Sequence, residues 1–154
     1  MAKLLCIAQW PDDGEFHPDY PVEFALTLSE GDSDRWLTAH MVLNIHMDID
    51  EDKEVWLERE GQILRRETHR LVDDLKKLLT DQRRKNLTFV PITPSFELWI
   101  NRLSDEQYRV IIWLDMQADF NGASNIGYQG MRFMSNRARL MGFVRGMEAE
   151  LNTD

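Results

Sequence analysis

Cysteine is nearly absent from this chain of 154 residues: Cys6 stands alone, so no internal disulfide can form. A reducing, cytoplasmic setting is the expectation that follows. Long apolar runs are missing as well. No stretch approaches the roughly 18 apolar residues that a membrane-crossing helix needs. The N-terminal MAKLLCIAQWPDD has one lysine and a short apolar run with acids straight after it, unlike a secretory signal. Basic residues are scarce in the first part. Residues 1–60 carry fifteen acids against four bases, a balance of −11, whereas residues 61–154 carry twelve against fourteen, or +2. A net charge of −9 argues against a nucleic-acid partner, because phosphate backbones call for a basic footprint. The partner that such a charge suits is a basic protein.

Catalytic signatures are lacking too. Gly122, Gly127 and Gly130 are not followed by the Gly-Lys-Ser/Thr of a phosphate loop. None of the serines sits in a nucleophile-elbow pattern, and Cys6 lies in an apolar strand without a neighbour that would activate it. Asp48-Ile49-Asp50-Glu51-Asp52 has the opening of a calcium loop, but Lys53 replaces the turn glycine and Arg59 the closing glutamate. Asp115 and Asp119 flank a turn, with no second carboxylate pair beside them. His40, His46 and Asp48 are the one set with metal-ligand chemistry. The two histidines are about 20 Å apart along an extended strand, so they share an ion only if the strand bends sharply. A metal-dependent enzyme built on them remains the alternative reading. The leading expectation is a non-catalytic chain with no cofactor and no metal.

Period-two alternation is abundant. It predicts strands over 3–10, 22–29, 36–47 and 54–57, then a helix from Glu58 to Arg84 with Leu64, Leu71, Leu75 and Leu78 in its stripe. Arg83, Arg84 and Lys85 are expected in the last turn of that helix. The stretch from Asn86 to Phe120 reads as a short entry strand and a β-hairpin. Pairing Ile100 with Val110, Leu98 with Ile112 and Phe96 with Leu114 aligns every inner apolar position, and a shift by one residue would invert the set. The back of this hairpin then carries Trp99 near Ile111, and Trp113 opposite Glu97. That face is too apolar for ordinary solvated surface. After a loop over 121–129 and a short strand at 130–134, Ser135 is expected to cap a helix ending near Leu151. The expected fold is α+β and a single domain over 1–154: an antiparallel curved sheet with two helices on one face, a two-layer sandwich.

An ordered set of features runs from about 54 to 151: the strand Val55-Trp56-Leu57 and a helix, then Pro91-x-x-Pro94-Ser95-Phe96-Glu97-Leu98. Tyr108-Arg109-Val110 leads into Trp113-Leu114-Asp115, and Gly130-Met131-Arg132-Phe133 precedes a final helix with Leu140 and Phe143. In this the chain resembles small bacterial immunity proteins of the WapI type, which neutralise toxins deployed between bacterial cells. The resemblance implies a non-catalytic α+β protein that acts by binding, here an inhibitor of a basic bacterial toxin or effector by occlusion. A phage-encoded inhibitor of a host defence protein fits the same features. Candidate partner-binding residues are the acids Asp48, Asp50, Glu51 and Asp52, with Asp12, Asp13 and Glu15 of the first loop, and the aromatic anchors Trp99 and Trp113.

Overall fold

Four antiparallel strands lead into a helix, and then the same order repeats. The structure is a computed structural model that describes residues 1–6, 22–48, 53–93, 95–115 and 127–152. In the first half β1 (Ala2–Leu5), β2 (Val22–Glu30), β3 (Trp36–Asp48) and β4 (Lys53–Leu64) form one sheet in sequence order, followed by α1 (Arg65–Thr80). In the second half β5 (Asn86–Phe89), β6 (Phe96–Arg102), β7 (Gln107–Asp115) and β8 (Tyr128–Asn136) form the other, followed by α2 (Arg137–Leu151). All neighbouring strands are antiparallel, and the architecture is α+β as expected. The strands divide between two four-stranded sheets where a single curved sheet was expected.

The hairpin register is the expected one: Phe96 lies opposite Leu114, Leu98 opposite Ile112 and Ile100 opposite Val110. All six are fully buried. Other boundaries move. Residues 58–64, expected to start the helix, instead extend β4 to Leu64, because β3 offers a partner along its whole length, from Trp36 opposite Leu64 to His46 opposite Glu54. Pairing of this extent overrides the helix propensity of Glu58, Arg59, Glu60 and Gln62. Gly61 fits the same account. A Cβ there would lie 2.6 Å from Cβ of Ser95, so the second half approaches β4 closely at this point.

The helix ends early as well. Asp81 caps it by donating its N–H to Lys77 O at 2.8 Å, and its carboxylate accepts from Arg83 N at 3.0 Å, turning the chain away. Arg83, Arg84 and Lys85 therefore lie beyond α1, and Arg84 reaches back to Asp74 at 3.4 Å. The last strand is longer than expected, and Asn136 rather than Ser135 caps α2, its side chain accepting from Arg139 N at 2.9 Å. Ser135 is buried and donates to Leu5 O at 2.8 Å, tying β8 to β1.

Each helix is anchored on the half it does not follow. Buried Glu67 of α1 accepts from Ile92 N at 2.9 Å, ahead of β6. Arg102 of β6 donates to Leu78 O in the last turn of α1 and to Asp81 O just past it, which also accepts from Arg84 N. In turn α2 packs on β1, so closely that a Cβ on Gly146 would come within 2.8 Å of Ala2 Cα. Glu150 of α2 accepts from Leu28 N at 3.0 Å and pairs with the terminal amine of Met1. The helices also meet each other through Lys76 and Glu148. Inside, Phe24 of β2 stacks obliquely on Phe96 of β6 at 6.0 Å and on Phe143 of α2 at 6.1 Å, and Phe89 of β5 joins at 5.6 Å. One apolar core runs through both sheets and both helices, which leaves each sheet an outer face.

Candidate functional site

The outer face of the second sheet follows from strand alternation. With Phe96, Leu98 and Ile100 turned inward, Glu97, Trp99 and Asn101 turn outward, and β7 contributes Arg109, Ile111, Trp113 and Asp115. Register then sets the rows. Thr88, Trp99, Ile111 and Arg132 lie side by side across the four strands; the next row holds Glu97, Trp113 and Gly130, and the next Asp115 and Tyr128.

Three aromatic rings stay open on this face: Trp99 is 42% exposed, Trp113 38% and Tyr128 41%. For side chains of this size such exposure leaves a contiguous apolar strip in water. Gly130 brings no side chain to shield Trp113. It has to be glycine for a different reason: a Cβ there would lie 1.8 Å from the carbonyl oxygen of Ile112. Trp99 Nε1 donates to Glu97 Oε2 at 3.0 Å, which holds the indole against the strand and uses its one polar group. Partial burial, and after it the Asp115 and Glu97 carboxylates, push the Tyr128 phenol above its ordinary value of 10.0. The phenol is therefore a neutral donor at physiological pH. Charge on the face is segregated, with Glu97 and Asp115 at one end and Arg109 and Arg132 at the other.

The outer face of the first sheet is finished differently. His40 Nε2 meets Glu58 Oε1 at 2.5 Å, and Lys3 pairs with Glu23 at 3.2 Å. Gln62 donates to Thr38 Oγ1 at 3.1 Å, and Glu60 lies in register with His40. Trp56 projects among them at 60% exposure, and the half-buried Trp36 shares the face. Lys3, Glu23, Thr38, His40, Glu58 and Gln62 thus have polar partners on the same face.

Of the expected site residues, the fold brings Trp99 and Trp113 together on one exposed face, where Tyr128 and Ile111 join them. Tyr128 was missed because 121–129 reads as a loop. The signal that could have placed it is the alternation of Met131, Phe133 and Ser135, which extends β8 backwards. Asp48 belongs to the other sheet, its backbone paired with Lys53 at the end of the β3–β4 hairpin. Its side chain, and Asp50, Glu51, Asp52, Asp12, Asp13 and Glu15, lie outside the described residues, as does Asp119. His40, a candidate ligand, is engaged by Glu58, and the side chain of His46 is outside the described part. Among the described residues no three metal-ligating side chains converge. Cys6 is buried, and that burial raises its thiol above the ordinary 9.0, which makes it a poor nucleophile. No helix among the described residues is long and apolar enough to cross a membrane.

No family model matches the sequence, and no curated protein matches it.

Proposed function

We propose that this chain acts by binding another protein, with the outer face of the second sheet as its anchor. The observation that carries this reading is the open strip of Trp99, Ile111, Trp113 and Tyr128. Tryptophan and tyrosine supply the largest contact areas at protein interfaces and dominate their binding energy. The Glu97–Asp115 end of the strip suits an arginine or lysine of the partner, whose cation can stack on an indole and meet a carboxylate at once. A net charge of −9 favours a basic partner and speeds the encounter with it.

In its specific form the proposal is a stoichiometric inhibitor: an immunity protein that neutralises a basic bacterial toxin by occluding it. The residues that resemble WapI-type immunity proteins support this form, and they span the whole second sheet. The test is capture on the immobilised chain, identification of the retained protein and titration of its activity. A basic protein whose toxic activity falls to nothing at one equivalent is the expected result. Retention of no protein, or of one whose activity persists in the complex, would reject the inhibitor. A neighbouring toxin gene separates immunity from the phage-encoded alternative, which predicts phage genes alongside and a host defence protein as the captured partner.

A further inference from the structure

Away from both sheet faces, where β4 passes directly into α1, the surface folds into a cavity of about 570 Å³ lined by Arg35, Leu64, Arg65, Arg66 and His69. A volume of this order suits a small organic molecule. Its lining is unusual for this chain: three arginines and a histidine border one concavity in a protein whose net charge is −9. The turn before β3 delivers Arg35, and the first two turns of α1 deliver Arg65, Arg66 and His69.

Two of the three arginines are not spent on ion pairs: Arg35 and Arg66 are exposed and have no acidic partner among the described residues. Arg65 is half-buried. It is held in place by its Nε, which donates to Asp34 O at 3.1 Å, and by a longer contact of 3.5 Å to Glu30. At the start of α1, Arg65 N already donates to Arg35 O at 2.8 Å and Leu64 N to Glu67 Oε2 at 3.4 Å. The arginine side chains give the cavity its positive character. An anion held among the three arginines would offset the repulsion between like charges.

We propose that this cavity binds a small organic phosphate with at least two negative charges and an apolar body, of about nucleotide size. Planar guanidiniums grip phosphate oxygens in pairs, and three of them exceed what a single carboxylate can use. Leu64 supplies an apolar wall for the remainder of the ligand. A nucleic-acid strand is the poorer fit, because the cationic patch is confined to one cavity on an acidic molecule.

The proposal is independent of the protein-binding face, and the test separates the two. Trp36 lies opposite Leu64 in the β3–β4 ladder, whereas Trp99 and Trp113 lie on the other sheet. In ¹⁵N–¹H spectra of the full chain titrated with ADP, pyrophosphate, inorganic phosphate and adenosine, saturable shifts are expected for ADP and pyrophosphate. They should centre on the amides of Arg35, Leu64 and Arg66 and on the Trp36 side chain, with those of Trp99 and Trp113 still. Inorganic phosphate should bind more weakly than ADP, and adenosine should not bind. Arg66→Ser, and Arg35→Ser with it, should weaken ADP by about tenfold or more, the range for charge-assisted hydrogen bonds. Both positions are exposed, and Arg66→Lys, which keeps the charge without the planar fork, should lose less. Absence of saturable shifts with ADP and pyrophosphate at millimolar concentration would overturn the assignment. So would shifts centred elsewhere, adenosine binding as well as ADP, a single-stranded oligonucleotide outcompeting ADP, or an Arg66→Ser protein, folded by its spectrum, that binds ADP unchanged.

Discussion

Each half of the chain lays down four antiparallel strands and then runs without a break into a helix, β1–β4 into α1 and β5–β8 into α2, yet the two sheets present different outer faces. Inward, they are made of the same material: Phe24, Leu26, Met41 and Leu43 on one side, Phe96, Leu98, Val110 and Ile112 on the other, all fully buried. Packing density constrains those positions tightly. Outward, the first sheet pairs its polar groups, Lys3 with Glu23 and His40 with Glu58, while the second leaves Trp99, Trp113 and Tyr128 open. The shared layer makes the fold; the layer that differs is where recognition is to be sought. On the proposed function, an acidic first sheet would steer the partner and an aromatic second one would anchor it.

The comparison breaks first if the halves are separate folding units. Phe24→Ala in the first half and Phe96→Ala in the second remove rings that touch each other at 6.0 Å. Each should destabilise the chain by about 3–5 kcal/mol. Because the helices are anchored crosswise, urea unfolding followed by far-ultraviolet circular dichroism and by tryptophan fluorescence should give coincident transitions for both variants. Two separated transitions would mean that each half folds alone.

Glycine substitutions sharpen the account at smaller scale. Gly130→Ala should destabilise by about 1–3 kcal/mol, as overpacking does, since its Cβ would meet the Ile112 carbonyl at 1.8 Å. Gly142→Ala in α2 meets nothing within 4 Å and should stabilise by contrast, by about 0.5–1 kcal/mol from helix propensity. Denaturant midpoints measure both, and a Gly130→Ala protein as stable as the parent would show that β8 sits further from β7 than described.

If the first half steers through acids at its surface, changing Asp48, Asp50, Glu51 and Asp52 to Asn or Gln should leave the melting temperature nearly unchanged. It should slow association with the captured partner in stopped flow, and the slowing should shrink in high salt. A rate indifferent to both would remove these acids from recognition. The subtlest effect concerns Tyr128. Its phenol, raised above 10.0, should ionise later than a free tyrosine in an absorbance titration. A group with a raised pKa adds stability below the unfolded value and loses it as pH climbs through the folded one, so this contribution is present at neutral pH and fades above about pH 10. Glu97→Gln with Asp115→Asn should lower the midpoint only in part, since partial burial is the larger cause.

The β6–β7 hairpin was legible because three inner apolar residues on each strand admit a single register. The same alternation exposed Trp99 and Trp113 as neighbours on the back. The β4–α1 boundary was not legible. Arg59 and Gly61 occupy inner positions of β4, so the period-two signal fails there, and the need for glycine arises from Ser95, thirty-four residues away in sequence. Long-range approach of this kind leaves no local trace. The division into two sheets was hidden for a related reason: hairpin patterns specify which strands pair within each half and say nothing about the helices crossing over. The arginine-lined cavity escaped because Arg35 joins Arg65, Arg66 and His69 only once β3 and β4 are paired along their length.

The central claim is that the second sheet, and not the first, carries the binding energy. Calorimetric titration of the captured partner into the parent chain, a Trp99→Ser/Trp113→Ser variant and a Trp56→Ser variant tests it most directly, with circular dichroism confirming that each is folded. The double variant should lose about 2 kcal/mol or more, roughly thirtyfold in affinity, and Trp56→Ser should bind within a few-fold of the parent. Equal affinity for the double variant and the parent, or a larger loss from Trp56→Ser, would contradict the account.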